Sequence, residues 1–159
     1  ITMDAVPLLN DLVGGVEVTV MDDFTGIDEE LVKGKTVTLK GEQALHYVRT
    51  RSGLEDSSNT TRMERQRQYI DGLRDQFKSC VDEDETFIVD ASLKMADYIV
   101  SDRSVTQLQE LGKKLNDYEF NGIINLEGES KLGESFMEFY PDAEFVKSTV
   151  VDLFYEPKA

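Results

Sequence analysis

The sequence predicts an α/β fold in which helices flank a mixed β-sheet in layers. Short segments with alternating polar and apolar residues, typical of strands, interleave with longer segments that repeat apolar residues at helical spacing. The composition is 40% hydrophobic and 31% charged, with 11 glycines and three prolines. Such a composition is that of a folded soluble domain, and 159 residues suffice for one core. A single domain is therefore expected over residues 1–159.

The first third of the chain predicts two helices that enclose a pair of strands. The predicted elements are a helix at 4–13, strands at 16–20 and 36–39, and a helix at 41–48. Asp4 is placed to cap the first helix, and Gly14 and Gly15 permit the left-handed backbone that ends it. The segment between the strands is polar and contains glycine, which predicts a loop.

A longer helix is predicted to begin at Thr61, after a polar loop over residues 49–60. Thr61 and Glu64 have the spacing of a capping box. The apolar stripe that should face the core runs to about residue 78. It consists of Met63, Ile70, Leu73 and Phe77.

The second half of the chain continues the alternation of helices and strands. The predicted elements are helices at 86–100 and 104–115, strands at 118–128 and 135–140, and a final helix opened by Pro141. Ser104 is the expected cap of the second of these helices. In the final helix, Val146, Val150 and Leu153 are expected to face inward. Seven aromatic residues are also expected in the core: Tyr118, Phe120, Phe136, Phe139, Tyr140, Phe154 and Tyr155.

Charge is distributed unevenly along the chain. The net charge of −15 argues against nucleic-acid or anionic-lipid partners, yet the window Arg49–Arg74 holds six of the seven arginines against four carboxylates. This contrast predicts a focused anion site. The sequence shows neither an apolar run long enough to span a membrane nor a signal peptide. Because it begins at Ile1, we expect a piece of a longer protein, with any anchor upstream.

The arginine spacing suits a multiply charged ligand. In an extended segment, Arg49 and Arg51 would point to one side. Arg62, Arg65 and Gln66 share one face of the next helix, and Arg62 lies in its first turn, which favours anions. Guanidinium groups bind phosphate or pyrophosphate in a bidentate manner. In the alternative, these arginines pair with the excess carboxylates on a solvated surface, and spacing alone leaves both possibilities open.

Other polar residues are assigned structural roles. Asp22–Asp23 and Asp28–Glu30 lack the spacing of a calcium loop and are interpreted as a solvated loop. His46 is the only histidine and has no cysteine or histidine partner, which favours packing or surface exposure. Cys80 is the only cysteine, so no internal disulfide forms, and no base lies near it in sequence.

Two motifs in the arginine-rich region resemble a known family. The run Gly41-Glu42-Gln43-Ala44-Leu45 leads through Tyr47-Val48 to Arg49 and Arg51, and Arg62, Arg65 and Gln66 follow after a loop. Together with the upstream segment 12–20, this pattern resembles the LytR-CpsA-Psr (LCP) family of bacterial cell-envelope proteins. The resemblance is specific over about residues 3–75. It divides the domain into a motif region at 1–80 and a C-terminal extension at 81–159, which is similar to that of some Firmicutes members.

The resemblance implies a phosphotransferase that moves a glycopolymer, such as teichoic acid, from a polyprenyl-pyrophosphate carrier onto peptidoglycan, with Mg²⁺. It implies that Arg49, Arg51 and Arg62 are the catalytic arginines and that Gln66 binds the pyrophosphate, and Arg65 is expected to support substrate binding from the same helix face. Arg67 is expected to point outward. The resemblance places the protein on the extracellular face of the membrane, held by an upstream anchor, and implies metal ligands that also precede Ile1.

Two further expectations follow from comparison with the family pattern. Many members have Gly-Asp shortly before the helix arginine, whereas this chain has Asn59, and Asp56 is a possible substitute. With half of the family domain absent, the fragment is expected to bind pyrophosphate weakly and to be inactive alone. The alternative function is a non-catalytic module that binds polyprenyl pyrophosphate or regulates the cell envelope, including the transcriptional attenuation once attached to the family name.

Overall fold

The computed structural model describes residues 2–55, 59–116 and 118–155. The chain divides into two units, Ile1–Phe120 and Asn121–Ala159. The first unit contains helices α1 (Ala5–Leu12), α2 (Glu42–Arg49), α3 (Asn59–Glu83), α4 (Phe87–Met95) and α5 (Val105–Asn116), strands β1 (Val16–Thr19) and β2 (Thr36–Leu39), and a 3₁₀ helix at Ala96–Tyr98. The α/β class is confirmed, and the strands of the described residues form small antiparallel pairs. The predicted boundary between motif region and extension falls inside α3.

The core of the first unit lies around the β1–β2 pair. Val16 pairs with Leu39 and Thr19 with Thr36, so that alternate residues of β1 face inward. The helices α1, α2 and α3 pack around this pair, with α3 against β1. The buried cluster consists of Val13, Val16, Val18, Val20, Phe24, Leu31, Leu39, Ala44, Tyr47, Val48 and Tyr69. Phe24 and Leu31 belong to the loop between the strands, so this loop contributes directly to the core.

The end of α1 is fixed by two glycines and an asparagine. The amide of Gly15 donates to the carbonyl of Asn10 (2.9 Å) and that of Gly14 to the carbonyl of Asp11 (3.1 Å), the pattern of a Schellman motif. Both glycines have positive φ, as predicted. The buried side chain of Asn10 donates to the carbonyl of Leu39 (2.7 Å) and accepts from the amide of Val16 (3.2 Å). Asn10 therefore ties the helix end to both strands.

The face that α3 turns to the core differs from the predicted stripe. Arg65 and Tyr69 are buried, whereas Met63 and Ile70 are 44% and 45% exposed. Only Leu73 and Phe77 of the predicted stripe pack against the core. The helix begins at Asn59, two residues before Thr61, so the predicted capping box is wrong. The prediction of the stripe treated every arginine as a surface residue. Arg65 is nevertheless buried, because the carbonyls of Tyr47 and Thr50 accept its hydrogen bonds inside the protein.

The Ser104 cap predicted for α5 does form, and Gln107 completes it as a capping box. The amide of Gln107 donates to the Ser104 hydroxyl (3.3 Å), and the Ser104 amide donates to the Gln107 side chain (2.9 Å). By contrast, Asp4 precedes α1 but makes no capping hydrogen bond. The prediction that Asp22 is solvated is also wrong, because its side chain is buried and accepts from the amide of Asp23 (2.9 Å).

The second unit contains the antiparallel strands β3 (Gly128–Leu132) and β4 (Met137–Pro141) and the helix α6 (Ala143–Phe154). The carboxylate of Asp142 caps α6 by accepting from the amide of Phe145 (2.8 Å). Two predictions are wrong here: residues 118–127 form no strand, with Gly122 at φ 88°, and Val150 and Leu153 are exposed.

The predicted core role of the seven aromatic residues is also wrong, because each of them is exposed. No described residue of the second unit is buried. In the part of the chain that the structure describes, no helix has the length and apolarity needed to cross a membrane.

Candidate functional site

The C-terminus of α2 is held by two side chains of α3. Arg65 donates from Nη1 to the carbonyl of Tyr47 (3.0 Å) and from Nη2 to that of Thr50 (2.5 Å), and Gln66 donates from Nε2 to the carbonyl of Val48 (3.0 Å). The last carbonyls of a helix lack partners within it and carry a partial negative charge. A cation and an amide donor satisfy them here. This junction brings the two arginine groups of the sequence to one place.

Arg65 is itself part of the core. Its relative exposure is 0%, and its guanidinium carbon lies 5.0 Å from the ring centroid of Phe24 and 6.0 Å from that of Tyr47. The two rings contact each other with centroids 5.6 Å apart. A buried guanidinium is tolerated because carbonyl oxygens and aromatic faces replace its hydration. Arg65 thus positions the site, while its predicted contact with substrate stays a prediction.

Arg49 and Arg51 extend from the clamped end of α2. Arg49 is the last residue of the helix, and only Thr50 between them has extended backbone (φ −63°, ψ 138°). The prediction that both lie in an extended segment is therefore wrong for Arg49. Both side chains are exposed. Because the carbonyls on either side of Arg49 are held by Arg65 and Gln66, its backbone position is fixed while its guanidinium is free to reach a ligand.

Arg62 lies in the first turn of α3, as predicted. Its Nη2 donates to Oδ1 of Asn59 (2.5 Å), so the asparagine that replaces the family's aspartate orients this guanidinium. Its Nε is buried, and among the described residues it has no hydrogen-bond partner. A buried donor without an acceptor is costly, and an anion at this helix end would satisfy it.

The site arginines are not neutralised by carboxylates in the described part of the chain. Over residues 2–55, 59–116 and 118–155, no ion pair involves Arg49, Arg51 or Arg62. The alternative in which the excess acidic residues pair with them is not seen there. Asp56, the proposed substitute for the family's aspartate, lies outside the described residues. Arg67 is exposed.

Tyr47 extends the support of the site toward β1. Its hydroxyl donates to Oε1 of Gln68 (2.5 Å), and Gln68 donates to the carbonyl of Thr19 (3.1 Å). Burial raises the pKa of Tyr47 to about 12, against the opposing effects of a backbone hydrogen bond and the Arg65 charge. Sequence reasoning assigned no role to Gln68 or Tyr47. The available signals were the place of Tyr47 in the motif that leads to Arg49 and the position of Gln68 next to Arg67.

The raised pKa of Tyr47 predicts a loss of stability in alkaline solution. In the unfolded chain tyrosine ionises near pH 10, so above that pH the unfolded state releases its proton first. We expect the free energy of unfolding to fall between about pH 10 and about pH 12, with Tyr69 contributing in the same direction because burial also raises its pKa. Denaturant titrations at about pH 9 and about pH 11 measure the change.

The matched variants separate this effect from general alkaline damage. Tyr47→Phe should show a smaller loss between the two pH values than the wild type. Tyr118→Phe, which alters an exposed ring, should lose as much as the wild type. Equal losses in Tyr47→Phe and wild type would contradict the assignment.

A metal site is not formed by the described residues alone. Among them, no three or more histidine, cysteine, aspartate or glutamate side chains come together in a way that could hold a metal ion. The Mg²⁺ implied by the family resemblance, with ligands expected upstream of Ile1, stays a prediction. Cys80 is half-buried, and burial, with a smaller contribution from Glu83, raises the pKa of its thiol, which disfavours the nucleophilic thiolate.

Comparison with known proteins identifies the family. The model of the LytR_cpsA_psr family matches residues 1–144. The chain belongs to this family. The match confirms the resemblance carried by the arginine motifs. The family is one of cell-wall glycopolymer transferases and is associated with the cell envelope. No curated protein matches the chain.

Solved structures share the fold of this LytR_cpsA_psr chain. A protein from Enterococcus faecalis described as a transcriptional regulator is 23% identical with a TM-score of 0.70, over 95% of this chain and 55% of that one. B. subtilis TagU is 19% identical with a TM-score of 0.65, over 100% of this chain and 64% of that one. B. subtilis TagV is 23% identical with a TM-score of 0.66, over 99% of this chain and 63% of that one. At these identities the likeness shows the fold alone. The chain spans less than two thirds of each structure.

Proposed function

We propose that the junction of α2 and α3 binds the pyrophosphate of a polyprenyl-pyrophosphate-linked glycan, as part of a phosphotransferase that attaches the glycan to peptidoglycan at the cell envelope. Arg49, Arg51 and Arg62 are the ligand-binding arginines of this proposal. The observation that carries it is their arrangement at one junction, where the described residues provide neither carboxylate partners for the arginines nor an acceptor for the buried Nε of Arg62.

The chemistry that suits such a site is an in-line phosphoryl transfer. A hydroxyl of the acceptor sugar attacks the phosphorus next to the donor glycan, forming a new P–O bond. The bond from that phosphorus to the bridging oxygen breaks, polyprenyl monophosphate leaves, and the hydroxyl proton passes to solvent. Three guanidinium groups offset the charge on the non-bridging oxygens and on the leaving phosphate.

The buried side chains determine how well the arginines are pre-organised. Arg65 and Gln66 hold the carbonyls of Tyr47, Val48 and Thr50, and Asn59 holds Arg62. A site that is rigid before the ligand arrives loses less conformational entropy on binding. The chain spans 55% to 64% of the three compared structures. Binding of the pyrophosphate head group is therefore the part of the proposal that can be measured with this chain alone.

Titration with farnesyl pyrophosphate, followed by calorimetry, tests the site. Arg49→Ala and Arg62→Ala should each weaken binding by about ten-fold or more, because each removes a charge-assisted hydrogen bond worth about 1.5–3 kcal/mol. The Kd should also rise with salt concentration, as expected for an exposed ionic contact.

Arg67→Ala is the matched control, because Arg67 is an exposed arginine of the same helix. It should bind farnesyl pyrophosphate as the wild type does. Farnesyl monophosphate should bind more weakly than the pyrophosphate. Unchanged affinity in both Arg49→Ala and Arg62→Ala would refute the arginine site, and an equal loss in Arg67→Ala would show only a general charge effect.

A further inference from the structure

A second concave region lies in the first unit, away from the arginine junction. It is a cavity of about 580 Å³ between α3, α5 and residues 118–120. This volume is within the range of small-molecule sites. On α3 its wall begins at Arg74, twelve residues after Arg62, which corresponds to roughly 18 Å along the helix axis. The cavity is therefore separate from the proposed pyrophosphate site.

Aromatic rings form much of the cavity wall. Phe77 lies at the core side and packs edge-on against Phe87, with centroids 5.3 Å apart. Tyr118 and Phe120 lie on the outer side, where Tyr118 is 74% exposed. The guanidinium carbon of Arg74 lies 4.4 Å from the centroid of Phe120, which holds that ring in place. Exposed rings at the mouth of a cavity favour a ligand that stacks on aromatic faces.

The charged residues of the same cavity balance each other. Arg74 and Lys78 supply two positive charges, and Asp75 and Glu119 supply two negative ones. Arg74 is paired with Asp75, with Nη2 to Oδ1 at 2.6 Å. Within the described residues, no ion pair involves Lys78 or Glu119. The cavity thus offers the ammonium of Lys78 as a donor and the carboxylate of Glu119 as an acceptor, and the formal charges of its described lining residues cancel.

We infer that this cavity binds a neutral saccharide. A sugar ring has an apolar C–H face that packs on the negative face of an aromatic ring, and hydroxyl groups that both donate and accept hydrogen bonds. The carboxylate of Glu119 would repel an anionic amphiphile, and the ammonium of Lys78 would repel a cationic ligand. In this arrangement Tyr118 stacks on the sugar, and Lys78 and Glu119 bind its hydroxyl groups.

Titration with the trimer of N-acetylglucosamine and with maltotriose, observed by NMR, tests the inference. The wild type should bind at least one trisaccharide saturably. Tyr118→Ala and Lys78→Ala should each weaken that binding by about five-fold or more. Tyr118 and Lys78 are both exposed, so neither change should impair folding.

Two control variants distinguish this site from others. Phe136→Ala removes an aromatic ring that is 79% exposed in the second unit, and Arg62→Ala disables the proposed pyrophosphate site. Both should bind the trisaccharide as the wild type does, so failure of one proposal leaves the other standing. The inference is overturned if neither trisaccharide binds, if Tyr118→Ala binds as well as the wild type, or if decanoate displaces the bound sugar.

Discussion

Replacement of Arg65 by methionine should lower the free energy of unfolding by about 2–4 kcal/mol, because two carbonyls lose their donor. The substitution keeps a long apolar stem but removes both hydrogen bonds to the carbonyls of Tyr47 and Thr50. The Tyr47 carbonyl is buried and that of Thr50 is partly buried, so water replaces the lost donor poorly at the first and only in part at the second. The contacts of the guanidinium with Phe24 and Tyr47 are lost as well. Denaturant unfolding measures the effect.

Two further substitutions test whether geometry or charge is responsible. Arg65→Lys keeps the charge, but a single ammonium group cannot reach both carbonyls with the planar fork of arginine, so most of the loss should remain. Arg67→Met, at an exposed position of the same helix, should change the free energy of unfolding by less than about 0.5 kcal/mol. If Arg65→Met were as stable as Arg67→Met, the clamp would contribute nothing to folding.

The second large effect is expected at Gly15. Its φ of 96° is disfavoured for residues with a side chain, and a Cβ atom there would lie 2.7 Å from both the carbonyl oxygen of Leu39 and Cγ2 of Thr38. The backbone oxygen cannot move without disturbing the β1–β2 pair. Gly15→Ala should therefore cost about 2–4 kcal/mol, from backbone strain and overlap together. Thermal and denaturant unfolding both report it.

Gly14→Ala provides the comparison that separates these two causes. Gly14 also has a positive φ, 82°, but a Cβ atom there has nothing within 4 Å. This variant carries only the conformational cost of about 1–2 kcal/mol. Equal destabilisation by the two substitutions would show that the close approach to Leu39 is relieved at no cost.

The sequence was sufficient to predict the elements whose signals are local. The α1 end at Gly14 and Gly15 and the alternation of β1 follow from backbone preference and period-two patterning within a few residues. Of the Ser104–Gln107 cap, only Ser104 was predicted, although its partner lies just three residues away. The arginine motif was equally local and led to the family that the comparison confirms.

The remaining features depend on contacts between distant parts of the chain. Arg65 is buried because backbone carbonyls at the C-terminal end of α2 accept its hydrogen bonds, and no periodicity within α3 reveals this. Met63 is exposed for the same reason, since the face that carries Arg65 faces the core instead. Asp22 likewise lies in a polar loop by composition, yet its neighbour Phe24 draws the loop into the core.

The clamp at the α2–α3 junction also affects how the connecting loop can vary. Arg65 and Gln66 join the two helices through side chain and backbone, so the separation of Arg49 from Arg62 does not depend on the chain that links them. Loop closure is entropically inexpensive, at about 0.6 kcal/mol for each doubling of loop length. An insertion in this loop would therefore change the surroundings of the proposed pyrophosphate site while leaving the positions of its arginines unaltered.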